Sequence, residues 1–534
     1  MLLFLLAVLV RLPVMFRNPL PAGDGIASNL EVAVNLTEGR GFSTWRKWTL
    51  YDSSMDGLRP EGNRQPAMSI LIAALFLVTG PGFAAAQVLV LVTGLFCLFM
   101  CWLWARRTFG RIPAMFTLLV LTLTPLFVWY SVQPDSLLLF TAVFFSVLMA
   151  AEREAISFGR AAFLGFLVGL SYLVRTQGSI LAFSIGLWVL YRGGLRRWLK
   201  ALLFAVVFVL TCMPWFARNL NAFGSPTYTQ GGQFLINENH WSAWEVRDDP
   251  PEPTDMLEFQ GPGAVAAYLL KGALRVIEPA TTGSLHRGEV FGQPTLLGFV
   301  ILALLALRER DIRRKMLLPV VAALPPMLLL VLHEHSGRYL AFFIVIVTGL
   351  GSAGLLSLKR LTDVRTASLA AALLLLPFIY PMGMLLSGNS AARAHEAEDV
   401  SRWLRVNSED DDWVVTYPNV ELLIWDYRRP TLTMPNDFEM LLWPCLEEHG
   451  VRYVVVDGFL PSMRPHLASR WRRTIDGRDW QVVNPPSFLT EVYRSGSGFS
   501  IVYEMTGDVP VGFMRVDSLP RDNMRAAPPA EATW

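Results

Sequence analysis

The sequence predicts an α-helical polytopic membrane protein with about 11 transmembrane helices and a small C-terminal extracytoplasmic α/β domain. Of its 534 residues, 53% are hydrophobic and only 17% are charged, whereas a soluble chain carries about 25% charged residues. Apolar segments recur up to residue 385, and the basic residues cluster between them. From about Arg393 onwards, short strand-like runs alternate with helix-like runs instead; the predicted strands are Trp413–Tyr417, Leu422–Trp425 and Tyr453–Asp457, and the predicted helices are Glu396–Val406 and Phe438–His449. The apolar part therefore needs a non-aqueous solvent, and the remainder is typical of a water-exposed domain.

Eleven apolar segments are interpreted as membrane spans, although several are short for a bilayer. Met1 to Phe16 lacks a basic leading stretch and a small-residue cleavage site, so we interpret it as a retained span and not as a signal peptide. Residues 66–79 are too short to cross comfortably and precede Gly80-Pro81-Gly82, which predicts an interfacial or re-entrant helix. The spans are predicted at residues 1–16, 84–105, 112–129, 136–151, 161–174, 178–191, 201–216, 291–307, 316–332, 339–358 and 366–385.

The basic residues between the spans predict the orientation. Five loops carry arginine and lysine clusters, and all five fall on one side of the predicted membrane. By the positive-inside rule that side is cytoplasmic. The clusters are Arg106–Arg111, Arg153–Arg160, Arg192–Lys200, Arg308–Lys315 and Lys359–Arg365. The chain is therefore expected in the cytoplasmic (inner) membrane of the cell, with its N-terminus inside and its C-terminal domain outside.

The same topology divides the chain into three parts. Residues 1–385 form the predicted transmembrane domain, with a first outer loop at 17–65 and a large outer loop at 217–290. Residues 386–520 form the predicted extracytoplasmic α/β domain, and 521–534 are expected to be a disordered tail. The chain has no long basic tract, which argues against nucleic acid as a partner.

The first candidate site lies in Pro21–Phe42, just after the first span. Asp24 stands where the chain leaves the membrane, and Ile26, Leu30 and Ala33 recur at helical spacing, with Gly39 and Gly41 as the stop signal. A second outer carboxylate, Asp135, lies in the turn Trp129-Tyr-Ser-Val-Gln-Pro-Asp-Ser136. A carboxylate at a membrane boundary is costly unless it is paired, hydrated or used. Helix capping is the alternative interpretation of both aspartates.

Three arginines form the second candidate group. Arg175, Arg218 and Arg338 lie at the predicted outer ends of spans, against the charge bias of the short outer loops. A guanidinium binds phosphate in a fixed fork geometry, and snorkelling to lipid headgroups is the alternative for each. Together with the two aspartates, they favour a site for a phosphate and a carboxylate-assisted reaction. His333-Glu334-His335 is only a weak metal pattern, and we assign no metal ligands.

With these motifs in order, the chain resembles the GT-C superfamily of multi-spanning glycosyltransferases, in particular the branch of protein O-mannosyltransferases and lipid A aminoarabinose transferases. The resemblance covers residues 1–385 and depends on the order of its segments. These are the acid before Ala33–Phe42, Arg64–Phe76, the Tyr130-Ser131…Asp135 turn, Val174–Gly178, Pro214–Pro226 and Gly337–Tyr339. Two features depart from the family pattern: Asp24-Gly25 replaces a pair of acids, and Gln65-Pro66-Ala67 replaces a double proline.

The resemblance implies the GT-C fold and an inverting transfer of a sugar from a polyprenyl phosphate to a lipid, glycan or protein acceptor. Asp24 would act as general base, and Asp135 would orient the acceptor or support Asp24. Arg338, with Arg218 or Arg175, would stabilise the departing lipid phosphate, and Tyr339 is assigned to the same donor site. Glu31 and Arg64 are assigned to acceptor binding or support. No cofactor is assigned, although some relatives use a divalent metal ion.

Two other classes of protein are compatible with the sequence. A transporter also has many spans and charges near the membrane, but these charges cluster at the outer boundary and no inverted repeat is visible. A non-catalytic subunit for the assembly of envelope glycans is favoured by the missing second acid. Substitution of Asp24 and Asp135 distinguishes the classes, because an enzyme loses turnover and an assembly subunit does not.

Overall fold

The structure is a computed structural model. It describes residues 2–21, 24–47, 57–152, 155–229, 295–332, 337–387, 389–416, 426–435 and 439–458, together with parts of 261–273 and of 460–509. At some of these positions, including Asp24 and Arg338, only the backbone is described. Most of the predicted large outer loop, the predicted strand at Leu422–Trp425 and the predicted tail at 521–534 lie outside this description.

The described part of the chain is mostly helical, as the apolar segments predict. The helices are α1 Leu2–Arg17, α2 Asp24–Thr37, α3 Pro66–Thr79, α4 Phe83–Phe109, α5 Arg111–Leu123, α6 Pro125–Trp129, α7 Leu137–Ala151, α8 Phe158–Val174, α9 Gln177–Arg192, α10 Arg197–Phe223, α11 Thr295–Ala306, α12 Arg310–Leu332, α13 Ala341–Leu361, α14 Val364–Leu375, α15 Ile379–Ser387, α16 Asn389–Asn407 and α17 Glu439–Glu448. Short 3-10 turns lie at Gly337–Leu340 and Leu376–Phe378.

Three of the described helices, α4, α10 and α13, are long and apolar enough to cross a membrane, judged by length and composition. Other apolar helices are shorter, among them α3, α5, α7 and α8. Three described helices thus have the length and composition of membrane spans, and the number of eleven spans stays a prediction.

Two predicted spans are interrupted in the structure. The segment 112–129 breaks at Thr124, which has extended backbone (φ −66°, ψ 119°), and Pro125 then opens the short helix α6. The segment 366–385 passes through a 3-10 turn that contains Pro377. Proline lacks an N–H and disfavours helical backbone in the residue before it. The helices of these two predicted spans are therefore interrupted at proline.

Small residues allow the long helices to pack closely. Gly165 of α8 faces the carbonyl oxygen of Phe204 in α10, which a Cβ atom would approach to 2.4 Å. Gly354 of α13 faces Leu302 of α11 in the same way. Close backbone approach at small residues is typical of helix association in membranes, where burial of apolar surface provides little driving force.

The first outer loop carries α2 and three two-residue strands. Ile26, Leu30 and Ala33 of α2 are buried in a cluster with residues of α3 and α4, as their helical spacing predicts. Gly39 and Gly41 have positive φ angles of 76°, and they follow the end of α2 as predicted. Beyond them, β1 Ser43–Thr44 pairs with β3 Arg59–Pro60 in an antiparallel ribbon, and β2 Arg46–Lys47 leaves this ribbon.

The C-terminal part of the chain builds a six-stranded sheet, called here the C-terminal sheet. Its strand order is β2-β5-β4-β6-β10-β9, parallel from β2 to β6 and antiparallel from β6 to β9. The strands are β4 Trp413–Thr416, β5 Thr431–Thr433, β6 Val451–Asp457, β9 Leu489–Arg494 and β10 Ser500–Met505, and β7 Trp471–Arg473 and β8 Trp480–Val482 form a separate hairpin. Strands β4 and β6 lie where the sequence predicts them. The edge strand β2, however, comes from the first outer loop, so the sheet is not confined to residues 386–520.

Candidate active site

Two predicted site residues, Asp135 and Arg175, form a buried ion pair. The Asp135 Oδ1 atom accepts a hydrogen bond from Nη1 of Arg175 at 3.0 Å, and Asp135 is only 6% exposed. Nη1 of Arg175 also donates to the hydroxyl of Ser136 at 3.2 Å. The same Oδ1 accepts from the backbone N–H of Leu137 at 2.7 Å, at the start of α7. The Asp135 carboxylate therefore binds the first backbone N–H of α7 from the position before the N-cap residue Ser136, close to the capping role of the alternative interpretation, and it also holds the guanidinium of Arg175 at the end of α8.

Tyr339 lies against the same guanidinium. The Cζ atom of Arg175 is 5.1 Å from the centre of the Tyr339 ring, within the range of a cation–π contact. Tyr339 belongs to the 3-10 turn that precedes α13, and Arg338 is its neighbour in the chain. The side chain of Arg338 lies outside the described structure. Three chain segments that are distant in sequence thus meet at Arg175.

Helix α2 is held against the Asp135 turn. Nδ2 of Asn29 donates to the backbone oxygen of Pro134 at 3.1 Å, and Oδ1 of Asn29 accepts from Ser69 of α3 at 3.2 Å. Before α2, the carbonyl oxygen of Leu20 accepts from Nε2 of Gln133 at 3.3 Å. Because Asp24 opens α2, these bonds bring its backbone to the end of the bundle where Asp135 lies. The side chain of Asp24 is outside the described structure.

The Asp135 turn is supported from within the bundle by Arg11 of α1. Arg11 is fully buried, its Nε donates to the hydroxyl of Ser131 at 3.0 Å, and its Nη1 donates to the carbonyl oxygen of Thr122 at 3.3 Å. Thr122 lies in the last turn of α5, where carbonyl groups lack helical partners because the helix breaks before Pro125. The sequence analysis did not assign this role to Arg11. The signal that could have indicated it is that Arg11 is the single charged residue in an otherwise apolar segment.

Glu31 of α2 binds the loop that follows it. Its two carboxyl oxygens accept from the backbone N–H of Trp45 at 2.5 Å and from the hydroxyl of Thr44 at 2.8 Å, and Glu31 is 2% exposed. Burial raises the pKa of Glu31 to about 8, although both hydrogen bonds favour the ionised form. The carboxyl group of Glu31 thus fixes the outer loop to α2.

Arg64, the other residue assigned to support, lies next to a buried carboxyl group that sequence reasoning missed. Oε1 of Glu61 accepts from the backbone N–H groups of Asn63 at 2.5 Å and of Arg64 at 3.1 Å. Glu61 is 1% exposed. These bonds shape the turn that leads into α3.

Arg218 belongs to a second group of residues. Its Nη2 donates to the carbonyl oxygen of Phe42 at 2.8 Å, and its guanidinium lies 4.9–5.2 Å from the rings of Phe42, Trp215 and Phe223. It also borders a cavity of about 290 Å³. The cavity is lined by Arg40, Phe42, Ser43, Leu58, Arg59, Pro60, Arg218 and Ala222. The guanidinium of Arg218 therefore contacts protein groups, so snorkelling to lipid headgroups alone does not explain its position.

The cavity is basic, because three of its eight lining residues are arginines and none is acidic. Ala222 and Arg218 belong to the last turns of α10, one of the helices able to cross a membrane. Among the residues that the structure describes, no group of three or more His, Cys, Asp and Glu side chains could hold a metal ion. The His333–His335 segment lies outside them.

Comparison with known proteins gives the class of this fold. A family model described as dolichyl-phosphate-mannose-protein mannosyltransferase matches residues 63–220. The archaeal oligosaccharyltransferase AglB from Archaeoglobus fulgidus, solved with an inhibitory peptide and a dolichol-phosphate, is similar in structure, with a TM-score of 0.58 and 14% identity over 86% of this chain and 69% of that chain. ArnT from Cupriavidus metallidurans, solved with undecaprenyl phosphate, has a TM-score of 0.54 and 13% identity over 95% of this chain and 99% of that chain. A comparison with curated proteins gives no match.

The protein therefore has the fold of the GT-C glycosyltransferases. It resembles the protein O-mannosyltransferase and ArnT branch of these enzymes, through the family model over residues 63–220 and through the structural match to nearly the whole length of ArnT. The resemblance to the GT-C glycosyltransferases that the sequence predicts is confirmed by these comparisons.

Proposed function

We propose that the protein is a membrane glycosyltransferase that transfers a sugar from a polyprenyl phosphate to a lipid, glycan or protein acceptor on the outer face of the cytoplasmic membrane. The observation that carries the proposal is the meeting of Asp135, Arg175 and Tyr339 at the end of the bundle where α2 begins with Asp24. The two polyprenyl phosphates found in the structural neighbours AglB and ArnT support this class of donor.

Asp24 is assigned the role of general base. Its carboxylate removes the proton from an acceptor hydroxyl while that oxygen attacks the anomeric carbon of the donor sugar. The new bond between the acceptor and the sugar forms as the bond between the sugar and the lipid phosphate breaks. The phosphate leaves with the electron pair, and a single displacement of this kind inverts the anomeric configuration. One carboxylate suffices for this step.

Asp135 is assigned to orientation. The N–H of Leu137 fixes the Asp135 carboxylate, and the same Oδ1 accepts from Arg175, whose guanidinium is thereby held beside Tyr339. Fixed donors that face a developing charge stabilise a transition state without reorganisation. Arg175, with Arg338 from the neighbouring 3-10 turn, is proposed to bind the lipid phosphate as its charge increases.

Arg218 and its cavity are proposed to extend the donor site. Arg218, Arg40 and Arg59 provide three positive charges around about 290 Å³, next to the end of a helix that can cross the membrane. The phosphate group of a membrane lipid would enter this cavity from the bilayer. Glu31 and Arg64 are proposed to support the site through the outer loop.

Sugar transfer by the purified protein in vesicles tests the proposal. Vesicles receive a panel of radiolabelled polyprenyl-phosphate sugars and a membrane glycolipid extract, and both transfer and donor binding are measured. Wild type is compared with Asp24→Asn and with Asp363→Asn, a matched substitution of an exposed aspartate that caps α14.

We expect transfer by wild type and by Asp363→Asn, and a loss of about 100-fold or more for Asp24→Asn, the range of general-base catalysis. The active donor would identify the sugar. Equal transfer by all three proteins would remove Asp24 from the mechanism. Donor binding without transfer by any of them would favour the assembly subunit.

A further inference from the structure

The first outer loop is hydrogen-bonded into the C-terminal sheet. Strand β2 pairs in parallel with β5, so that Arg46 lies opposite Thr431 and Lys47 opposite Leu432. The backbone N–H of Thr431 donates to the carbonyl oxygen of Trp45 at 3.1 Å. Nε of Arg46 donates to the hydroxyl of Thr433 at 3.1 Å. The loop therefore completes the edge of the sheet.

Two residues just before this strand, Thr44 and Trp45, are also bound to α2. The N–H of Trp45 and the hydroxyl of Thr44 donate to Glu31, while the carbonyl group of Trp45 and the side chain of Arg46 bind β5. Residues 44–46 thus form a direct connection, about three residues long, between α2 and the C-terminal sheet.

Two buried charged residues oppose displacement of this connection. Arg46 is 1% exposed and Lys47 is fully buried. A buried charge is costly unless its hydrogen bonds are satisfied, so a shift of β2 away from the sheet would expose or unpair these groups. Two flanking contacts follow the same path: Arg428 lies 3.6 Å from Glu38, and Arg59 lies over the ring of Trp413 at 5.6 Å.

We propose that the C-terminal sheet is a positioning element for α2, acting through β2 and Glu31. This inference rests on the proposed function, because α2 begins at the proposed base Asp24. A misplacement of about 1 Å at a reacting group can reduce a rate by about 100-fold. Loss of the connection is therefore expected to lower kcat more than donor affinity, since Arg175 and Arg338 lie on other elements, whereas Arg40 and Arg59 of the cavity belong to the same loop.

The variant Thr433→Val tests the connection, because it removes the acceptor of Arg46 and keeps the shape of the side chain. Thr416→Val is the matched control, a buried threonine of β4 in the same sheet that does not adjoin β2. Hydrogen exchange of the full chain is followed at residues 26–37 of α2, at 43–47 and in β6. We expect about tenfold faster exchange at α2 and at 43–47 in Thr433→Val, with β6 unchanged.

A disulfide provides the rescue. In the Thr433→Val background, Lys47→Cys and Leu432→Cys place two thiols at opposed positions of neighbouring strands, about 4.8 Å apart in backbone spacing, a distance that a disulfide spans. Oxidation is expected to restore slow exchange at α2 and to restore kcat, compared with the same protein in its reduced form.

Faster exchange at 43–47 with unchanged exchange at α2 would overturn the proposal. An unchanged kcat in Thr433→Val would also overturn the proposal, provided that wild type transfers sugar and that α2 exchanges faster in the variant. If wild type transfers no sugar, the proposed function fails, while exchange at α2 still decides whether the sheet holds this helix.

Discussion

At the scale of single residues, the candidate site depends on charges that are buried in pairs or by hydrogen bonds. Asp135 and Arg175 have side chains that are 7% and 13% exposed, so solvent screens their interaction little. Removing one partner of such a pair leaves the other charge buried and uncompensated, which costs more than the pair contributes.

The Asp135–Arg175 pair makes the first prediction. Asp135→Asn and Arg175→Gln should each lower the free energy of unfolding by about 3 kcal/mol. The double variant should be more stable than the sum of the two single variants predicts, because no charge is then left unpaired, and it should still fail to transfer sugar. Thermal unfolding in detergent measures the coupling, and strict additivity would show that the pair does not interact in solution.

Glu31 makes the second prediction. Its pKa of about 8 lies above the usual 4.5, so the native state binds its proton more tightly than the unfolded chain does. The stabilising contribution is therefore complete below about pH 4.5 and is lost as the pH rises through 8. Glu31→Gln, which cannot ionise, should make the Tm less sensitive to pH between 5 and 9 than that of wild type. Parallel pH profiles of Tm for the two proteins would contradict the assignment.

At the scale of elements, the position of the Asp135 turn follows from the packing of α4. Gly94 of α4 lies so close to the turn that a Cβ atom would approach the Ser131 hydroxyl oxygen to 2.2 Å. That hydroxyl accepts from Arg11, so the glycine, the turn and the buried cation depend on one another.

Gly94→Ala should therefore displace Ser131, lower the free energy of unfolding by about 1–3 kcal/mol and reduce sugar transfer. Gly159→Ala in α8, where a Cβ atom meets nothing within 4 Å, is the matched control and should be neutral in both measurements. If the two alanine variants unfold and transfer alike, the close approach at Gly94 is not important for the site.

The sequence predicted these elements only in part, and the reasons are physical. Apolar periodicity gives the buried face of α2, and two glycines give its end. Apolar periodicity cannot predict β2, because Arg46 and Lys47 show no alternation and form no apolar face. Their pairing partners also lie 385 residues further along the chain, in β5. The ion pair of Asp135 and Arg175 is likewise visible only after folding, although both residues were selected for their place at the ends of spans.

At the scale of the whole molecule, the charge bias of the loops predicts which ends of the helices face outwards. The four cysteines are buried, so an added surface cysteine can be labelled selectively. Ser497, in the turn between β9 and β10, and Ala155, in a predicted cytoplasmic loop, are both exposed.

A maleimide that cannot cross membranes should label Ser497→Cys in intact cells. It should label Ala155→Cys only after the membrane is permeabilised. The opposite pattern would invert the predicted orientation and would place the Asp135–Arg175 site on the cytoplasmic side.

The anomeric configuration of the transferred sugar tests the central claim most directly. With the active donor, one round of transfer by wild type in vesicles yields a product whose glycosidic bond can be assigned by nuclear magnetic resonance. A single displacement assisted by Asp24, with the lipid phosphate as leaving group, predicts a configuration inverted relative to the donor. Retention would require a covalent or second-displacement route, and it would contradict this mechanism.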